Sequence, residues 1–193
     1  MSNNIALIAG LGNPGQQYQH NRHNAGAIFL AELCASAGIT LKPESKFFGM
    51  TGRCMIAGQE IRLIFPTTYM NNSGQAVSAL ANYYKIPPAQ ILIVYDELDL
   101  PLGTTRIKTG GGHGGHNGVR DIIKALGTAD FHRLRIGIGH PGDAAKVLNY
   151  VLGDFSRSET EVLEDEINKI IKLMPLLAEG KIQTAMHQLH TKL

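Results

Sequence analysis

Cysteine is scarce in this chain, and its two copies follow no spacing that metal or redox sites use. Cys34 and Cys54 are the only cysteines among 193 residues, and they form no C-x-x-C pair. A disulfide framework is implausible at this length, so we expect a reducing, cytoplasmic location. The first residues also lack a basic segment followed by a long apolar one, and we expect neither a signal peptide nor a membrane span.

A strong net charge is absent as well. Lys and Arg together number 18 against 16 Asp and Glu, and the resulting net charge of +2 is too small to indicate nucleic-acid binding. The basic excess lies before Ser156, in the part of the chain that carries the unusual motifs. It weakly favours a polyanionic partner, and ordinary solvated surface charge explains it equally well.

The order of apolar runs predicts the fold class. Hydrophobic residues make up 44% of the chain, and short strand-like runs alternate with helix-like segments apart from one or two hairpins. We predict an α/β sandwich in a single domain spanning 1–193, with a mixed, largely parallel central sheet flanked by helices and the C-terminal helices packed on the sheet. The predicted strands cover 4–12, 49–58, 60–66, 91–98, 104–110 and 134–142. The predicted helices cover 24–38, 71–86, 117–127, 145–153, 156–178 and 181–190.

The segment GLGNPG, from Gly10 to Gly15, satisfies the G-x-G-x-x-G pattern of dinucleotide-binding loops. That fingerprint also needs a helix directly after the third glycine, and an acidic residue about 20 positions on at the end of a second strand. Here a polar run follows Gly15, and the nearest acidic residue, Glu32, lies in a predicted helix. We therefore interpret the segment as a tight loop that directs Asn13 into a cleft at the carboxyl end of a strand.

Three H-x-x-H pairs raise the question of a metal site: His20/His23, His113/His116 and His187/His190. Zinc sites usually add cysteine, or place a glutamate inside an H-E-x-x-H helix, and these pairs have neither. We expect no metal ion and no other cofactor, and a metal-dependent hydrolase stays open as an alternative. No G-x-S-x-G motif is present, and Cys34 lies on an apolar helical face, so no activated nucleophile is indicated.

Polar side chains follow several predicted strands where the strands end. They are Asn13, His23, Met70 with Asn71, Asp96, and Asn117 at the end of the glycine-rich run TGGGHGGHNG. These positions converge if their strands are adjacent and parallel. A histidine held by a carboxylate acts as a general base, and asparagine amides orient a carbonyl without adding charge. Such a set activates water directly, and spacing alone does not distinguish His23 from His116 as the base.

Five blocks of the sequence occur in a recognisable order between Ile5 and Gly153: GLGNPGQQYQHNRHNAG, PTTYMNNSG, YDELDLPLG, GGGHGGHNGVRDI and FHRLRIGIGHPG. Together they resemble the bacterial-type peptidyl-tRNA hydrolases. The resemblance implies hydrolysis of the ester between a peptide and the 3′-terminal ribose of tRNA, which recycles tRNA from prematurely released peptidyl-tRNA. It also implies a monomer that uses no metal and no covalent intermediate. A non-catalytic RNA-binding module on the same fold is a second alternative.

The resemblance also implies roles for single residues. His23 is similar to the base that activates water, and Asp96 to the partner that holds its ring. Asn13 resembles the residue that distinguishes N-blocked peptidyl-tRNA from free aminoacyl-tRNA. The implied contacts with the peptide, the ester or the tRNA acceptor end are Tyr18, Tyr69, Met70, Asn71, Gly114 and Asn117. Lys108 and Arg135 match the basic pair that clamps the tRNA 5′-phosphate.

The glycine-rich run is then interpreted as backbone that passes close to the substrate and leads into the first turn of a helix. His113 and His116 are interpreted as structural or peripheral residues rather than metal ligands. The segment 140–154 has Gly142 and Gly153 near its ends, a pattern compatible both with a hinged lid and with a static connection.

Overall fold

The computed structural model describes residues 4–191. Seven strands in this part of the chain form one sheet, in the order β2-β3-β4-β1-β5-β7-β6. The strands are β1 (Leu7–Gly10), β2 (Lys42–Glu44), β3 (Gly49–Ile56), β4 (Gln59–Pro66), β5 (Ile91–Glu97), β6 (Thr105–Thr109) and β7 (His132–Gly137). The four central strands β4, β1, β5 and β7 run parallel. The β2–β3, β3–β4 and β6–β7 pairs are antiparallel. The predicted mixed sheet is therefore confirmed.

Helices cover both faces of this sheet. They are α1 (Ala25–Ser36), α2 (Ser73–Tyr83), α3 (Asn117–Leu126), α4 (Val147–Val151), α5 (Arg157–Ala178) and α6 (Ile182–His190). One face packs against α1 and α5 through a buried cluster that includes Phe29 and Ile167. The other face packs against α2 and α3 through a cluster that includes Val77 and Ile122. The predicted sandwich, with C-terminal helices on the sheet, is confirmed.

Helix α5 shows how the sequence pattern produces this packing. Its apolar positions recur on one stripe and are buried: Leu163, Ile167, Ile170, Met174 and Leu177. Its first turn is fixed by a capping box, in which Ser156 and Glu159 bond each other's backbone N–H groups. Among residues 4–191, no helix combines the length and the apolar character needed to cross a membrane.

Two glycines allow α1 to lie directly against the ends of two strands. A Cβ on Gly26 would stand 2.1 Å from the carbonyl oxygen of Val94 in β5, and one on Gly10 would stand 2.4 Å from the carbonyl oxygen of Gly26. Any side chain at either position would force the layers apart. The close approach brings the start of α1, and with it His23, beside the carboxyl end of β5.

The structure also differs from the predicted elements at their limits. Strand β2 was not predicted, because it has only three residues and none of them is buried. Strand β7 ends at Gly137 rather than continuing to Gly142, since the backbone then turns to bond the segment after β5. Helix α2 begins at Ser73 rather than at 71 and ends at Tyr83 rather than at 86, and no side chain caps its start.

Candidate active site

The loops that follow the parallel strands meet at one end of the sheet. Strand β1 leads into Asn13, β4 leads into Met70, and Asp96 is the penultimate residue of β5. Asn13 Oδ1 accepts a hydrogen bond from the Met70 N–H at 2.8 Å. Helix α3 reaches the same place, because a Cβ on Gly118 would stand 2.6 Å from Met70 Sδ. The structure thus brings together the strand-end residues that the sequence singled out.

Asp96 lies at the centre of this site, between two histidines. His23 Nδ1 lies 3.0 and 2.9 Å from the two carboxylate oxygens of Asp96. His116 Nε2 lies 2.8 Å from Asp96 Oδ1, and the two imidazole centroids are 5.0 Å apart. Asp96 is 3% exposed, so these contacts are shielded from water. His116 is therefore not peripheral, and its contacts with Asp96 and with the first turn of α3 are of the structural kind.

The contacts around the two rings distinguish them as candidate bases. Both nitrogens of His116 are engaged, because Nε2 faces Asp96 and Nδ1 accepts from the Val119 N–H at 3.4 Å. His23 uses Nδ1 toward Asp96, and within residues 4–191 no group bonds its Nε2. A neutral ring that donates from Nδ1 carries its free lone pair on Nε2. Spacing left this choice open, and the geometry favours His23.

Electrostatics keeps Asp96 ionised and increases the proton affinity of His23. Burial by itself raises the pKa of Asp96, but the attraction of His23 and His116 and the hydrogen bonds to both hold it far below its usual range. The carboxylate is therefore ionised at neutral pH. Burial by itself lowers the pKa of His23, yet the charge of Asp96 and the hydrogen bond to it raise that pKa above its ordinary value. The raised pKa makes His23 Nε2 a stronger proton acceptor.

Asn13 is held from two sides. Its backbone N–H donates to Asn24 Oδ1 at 2.9 Å, and its carbonyl oxygen accepts from Asn24 Nδ2 at 3.0 Å. Since its own Oδ1 accepts from Met70, its Nδ2 is the group left to face a substrate, and no described residue bonds it. Asn13 is only 8% exposed, so the side chain is held in place while this donor stays unpaired.

The other predicted contact residues surround this centre and are more accessible. Met70 is buried, whereas Asn71, Asn117 and Gly114 are exposed. Tyr69 is 59% exposed, which is unusual for an aromatic residue beside a buried centre. Tyr18 is half-buried at the end of a 3-10 turn, Gln16–Tyr18, and among residues 4–191 no hydrogen bond or ring contact joins it to His23 or Asp96.

The glycine-rich run is a loop held from beneath by Arg133. Gly110, Gly111, Gly114 and Gly115 all have positive φ angles, from 58° to 91°, which explains why glycine is repeated here. Arg133 is 1% exposed, and its two Nη atoms donate to the carbonyl oxygens of Gly112 and Gly111 at 2.5 Å each. Sequence reasoning missed Arg133, because Arg133 and Arg135 look alike in FHRLRIG.

Lys108 and Arg135 lie on one face of the β6–β7 pair. Lys108 is opposite Arg133 and Arg106 is opposite Arg135, so alternation places these four cations on the same side. Lys108 is exposed, whereas Arg135 Nε donates to Glu97 Oε2 at 2.9 Å. The predicted phosphate clamp therefore consists of one exposed cation and one that an acid already holds in place.

One set of described residues can hold a metal ion. The nearest ligand atoms of His23, Asp96 and His116 all lie within 4.8 Å of one another. None of the H-x-x-H pairs supplies two members of this set, so that motif is not what brings the histidines together. The same three groups are the predicted base His23, its predicted partner Asp96, and His116, and chelation separates the metal interpretation from the general-base interpretation.

The chain is similar to known proteins along its full length. A family model described as peptidyl-tRNA hydrolase matches residues 7–193. A peptidyl-tRNA hydrolase of Pseudomonas savastanoi is 54% identical over 97% of both chains, and one of Marinobacter nauticus is 51% identical over 99% of this chain and 97% of that one. The crystal structure of peptidyl-tRNA hydrolase from Acinetobacter baumannii is 49% identical, covers 98% of this chain and 95% of its own, and superposes with a TM-score of 0.94.

Proposed function

Since this chain belongs to the peptidyl-tRNA hydrolase family and hydrolyses the ester of peptidyl-tRNA, we propose that the imidazole of His23 is the general base of that reaction. The observation that carries the proposal is the contact of His23 Nδ1 with the buried Asp96, which leaves Nε2 free. An orienting acid and one free ring nitrogen are what a water-activating base requires.

The reaction then needs one base and a few fixed dipoles. His23 Nε2 takes a proton from water as the water oxygen attacks the ester carbonyl carbon, and Asp96 stabilises the resulting imidazolium. When the tetrahedral intermediate collapses, the carbon–oxygen bond to the ribose breaks and the imidazolium returns the proton to the 3′-oxygen. The products are tRNA and a peptide with a free carboxylate. The amides of Asn71 and Asn117 are proposed to orient the ester and the peptide beside it.

Asn13 supplies selectivity for a blocked amino group. Its free Nδ2 donates hydrogen bonds and accepts none, since Oδ1 is taken by the Met70 N–H. A peptidyl-tRNA offers the carbonyl oxygen of a peptide bond to this donor. A free aminoacyl-tRNA offers an ammonium group instead, and two donors that face each other repel.

Recognition of the tRNA uses aromatic faces and cations. Tyr69 and Tyr18 are proposed to stack on unpaired bases of the acceptor end, and Gly114 lets the loop backbone approach it. Lys108 and Arg135 are proposed to hold the 5′-phosphate in a way that does not depend on sequence. We propose that a monomer is active, as the resemblance to the family implies. The cytoplasm is its proposed location, consistent with the two free cysteines.

Lys108→Ala and Arg135→Ala are each expected to raise KM for full-length peptidyl-tRNA roughly tenfold, as expected for loss of a hydrogen bond between charged groups. A short N-acetyl-aminoacyl ester lacks the 5′-phosphate and should be hydrolysed at the wild-type rate. Arg135→Ala should be the more harmful of the two, because it also leaves the Glu97 carboxylate without its cation beside the phosphate. Steady-state kinetics on both substrates measures these effects.

Lys172→Ala serves as the control, because this exposed lysine lies on α5, away from the β6–β7 pair. The salt dependence of KM should weaken in the clamp variants and remain unchanged in the control. An equal loss on full-length and short substrates would contradict the clamp.

Release of deacylated tRNA, followed on a gel with and without excess chelator, tests the function against its two rivals. We expect release at the same rate in both arms. A rate that falls in chelator and returns with added metal would favour the metal-dependent hydrolase. Binding of peptidyl-tRNA without any release would favour the RNA-binding module.

A further inference from the structure

The turn that carries His23 has little support of its own. Residues Arg22–Asn24 form a single 3-10 turn, and Asn21 before it makes no side-chain cap bond. Turns this short are marginal unless other parts of the chain hold them. The position of the His23 ring therefore depends on what anchors residues 20–24.

On its C-terminal side the turn leads directly into α1, and Asn24 bonds Asn13. On its N-terminal side the anchor is the segment 150–159, more than 120 residues further along the chain. The Arg22 N–H donates to the Gly153 carbonyl oxygen at 3.0 Å, and the Phe155 N–H donates to the His20 carbonyl oxygen at 3.0 Å. Asn21 Nδ2 donates to the Leu152 carbonyl oxygen at 2.6 Å and to Asp154 Oδ1 at 2.7 Å. The two segments are thus joined by backbone and side-chain hydrogen bonds at His20, Asn21 and Arg22.

The side chain of Arg22 completes this junction. Its Nη2 donates to both carboxylate oxygens of Glu159, at 2.9 and 3.1 Å. Its guanidinium carbon lies 4.4 Å from the ring centroid of Tyr150 and 5.6 Å from that of Phe155. The Arg22 side chain is only 13% exposed, so its charge is directed to Glu159 rather than offered to a substrate.

Glu159 connects Arg22 to a rigid element. Its Oε2 also accepts from the Ser156 N–H at 2.7 Å, in the capping box that begins α5. Burial by itself raises the pKa of Glu159, but the bonds from Ser156 and Arg22 lower it below the ordinary value. The carboxylate is therefore charged at neutral pH. Because α5 is fixed to the sheet through Ile167 and Ile170, the start of α5 is a stable reference point for the turn.

We propose that Arg22 is a positioning residue: its ion pair with Glu159 fixes the turn from which His23 reaches Asp96. The inference rests on the proposed function of His23 as the base. Asp96 holds the ring at one end, and the junction at Arg22 holds the backbone at the other. When the junction at Arg22 is lost, the His23 ring still contacts Asp96 part of the time. Its Nε2 then points less often at the attacking water.

The test compares Arg22→Met, which keeps the apolar stem, with Glu159→Gln and with the double variant, in the full-length protein. Because small misplacement of a reacting group is costly, each single variant is expected to lower kcat about tenfold with KM within about twofold. The double variant should lose no more than the single ones, since both remove the same ion pair. N-acetyl-aminoacyl-tRNA is the substrate.

The matched control is Arg157→Ala. Arg157 and Glu161 form an ion pair on the outer face of the same helix, with side chains that are 96% and 67% exposed. Removing an exposed pair of this kind should leave kcat and KM unchanged. Arg22→Lys keeps the charge but not the planar fork, and its kcat should fall between those of wild type and Arg22→Met.

The pKa of His23 distinguishes a positioning role of Arg22 from a loss of protein stability, because lower stability alone would not change this pKa. Asp96 and His116 are the titratable groups that contact this ring. If the ring spends less time on Asp96, its pKa falls toward the ordinary value. The acidic limb of the kcat–pH profile and the NMR titration of the His23 ring should then shift to lower pH in both single variants. Glu159→Gln is the milder change and keeps the test usable if Arg22→Met folds poorly.

Unchanged kcat in Glu159→Gln, a rise in KM alone, or an unmoved His23 titration would each overturn the inference. A rise in KM alone would mean that Arg22 binds substrate instead. His23→Ala separates a failure of the role proposed for Arg22 from a failure of the premise that His23 is the base. Full activity in His23→Ala would remove the premise, whereas an inactive His23→Ala beside a fully active Arg22→Met would remove only the role of Arg22.

Discussion

His23→Ala is expected to lower kcat for peptidyl-tRNA hydrolysis by roughly 10³-fold, within the range that a general base contributes. The variant keeps the amide donors and the tRNA contacts, so KM should change little. The variant loses His23 Nε2, the ring nitrogen that no described residue bonds. Asp96 orients this nitrogen by its contact with Nδ1 of the same ring. Single-turnover assays on N-acetyl-aminoacyl-tRNA measure the effect on the chemical step directly.

Asp96→Ala belongs to the same experiment and should be less harmful, with kcat lowered by about 10². The imidazole remains, and water can enter and partly replace the orienting group. His20→Ala is the matched control, because His20 is an exposed histidine three residues before the base. Wild-type kcat in His23→Ala, or an Asp96→Ala variant slower than His23→Ala, would contradict these roles.

Most elements of the fold could be predicted because they bury apolar residues at regular spacing. The strand ILIVY and the stripe of α5 are visible in the sequence for this reason. Strand β2 carries no such signal, since it pairs at the edge of the sheet with none of its residues buried. Pairing order also could not be read from spacing; the placement of β1 between β4 and β5 depends on contacts between distant segments.

The candidate site could be predicted in part. Asp96 is recognisable as an acid that ends an apolar strand, and His23 as a histidine at the start of a helix. That both His23 and His116 contact one carboxylate depends on how β5 lies between α1 and α3, which no local pattern reveals. The pair of Arg22 and Glu159 is hidden for the same reason, because 137 positions separate its members.

His190 has a structural role that the H-x-x-H spacing does not reveal. Both His187 and His190 lie on the C-terminal helix α6. In the structure, His190 Nε2 accepts from the Ile107 N–H at 3.0 Å, on the outer edge of β6. An edge strand leaves backbone groups unpaired, and a polar side chain from a packed helix can satisfy one of them. The sequence does not show which edge α6 will cover.

Asn13→Asp is expected to lower kcat/KM for peptidyl-tRNA by about 10²-fold, because a buried donor is replaced by a charged acceptor. The change is nearly isosteric, and one carboxylate oxygen can still accept from the Met70 N–H as Oδ1 does now. The other oxygen then faces the peptide carbonyl oxygen and repels it. The same oxygen attracts an ammonium group, so the loss on free aminoacyl-tRNA should be much smaller. Paired assays on N-acetyl-aminoacyl-tRNA and the matching aminoacyl-tRNA give the ratio.

Asn82→Asp introduces the same chemical change at an exposed position near the end of α2, and it should leave both rates unchanged. The ratio between the two substrates matters more than either rate, since distortion of the loop would slow both equally. Selectivity that stays at the wild-type ratio while both rates fall would mean that Asn13 supports the loop without sensing the amino group. A ratio that shifts toward aminoacyl-tRNA follows only if the free Nδ2 of Asn13 faces the position where the two substrates differ.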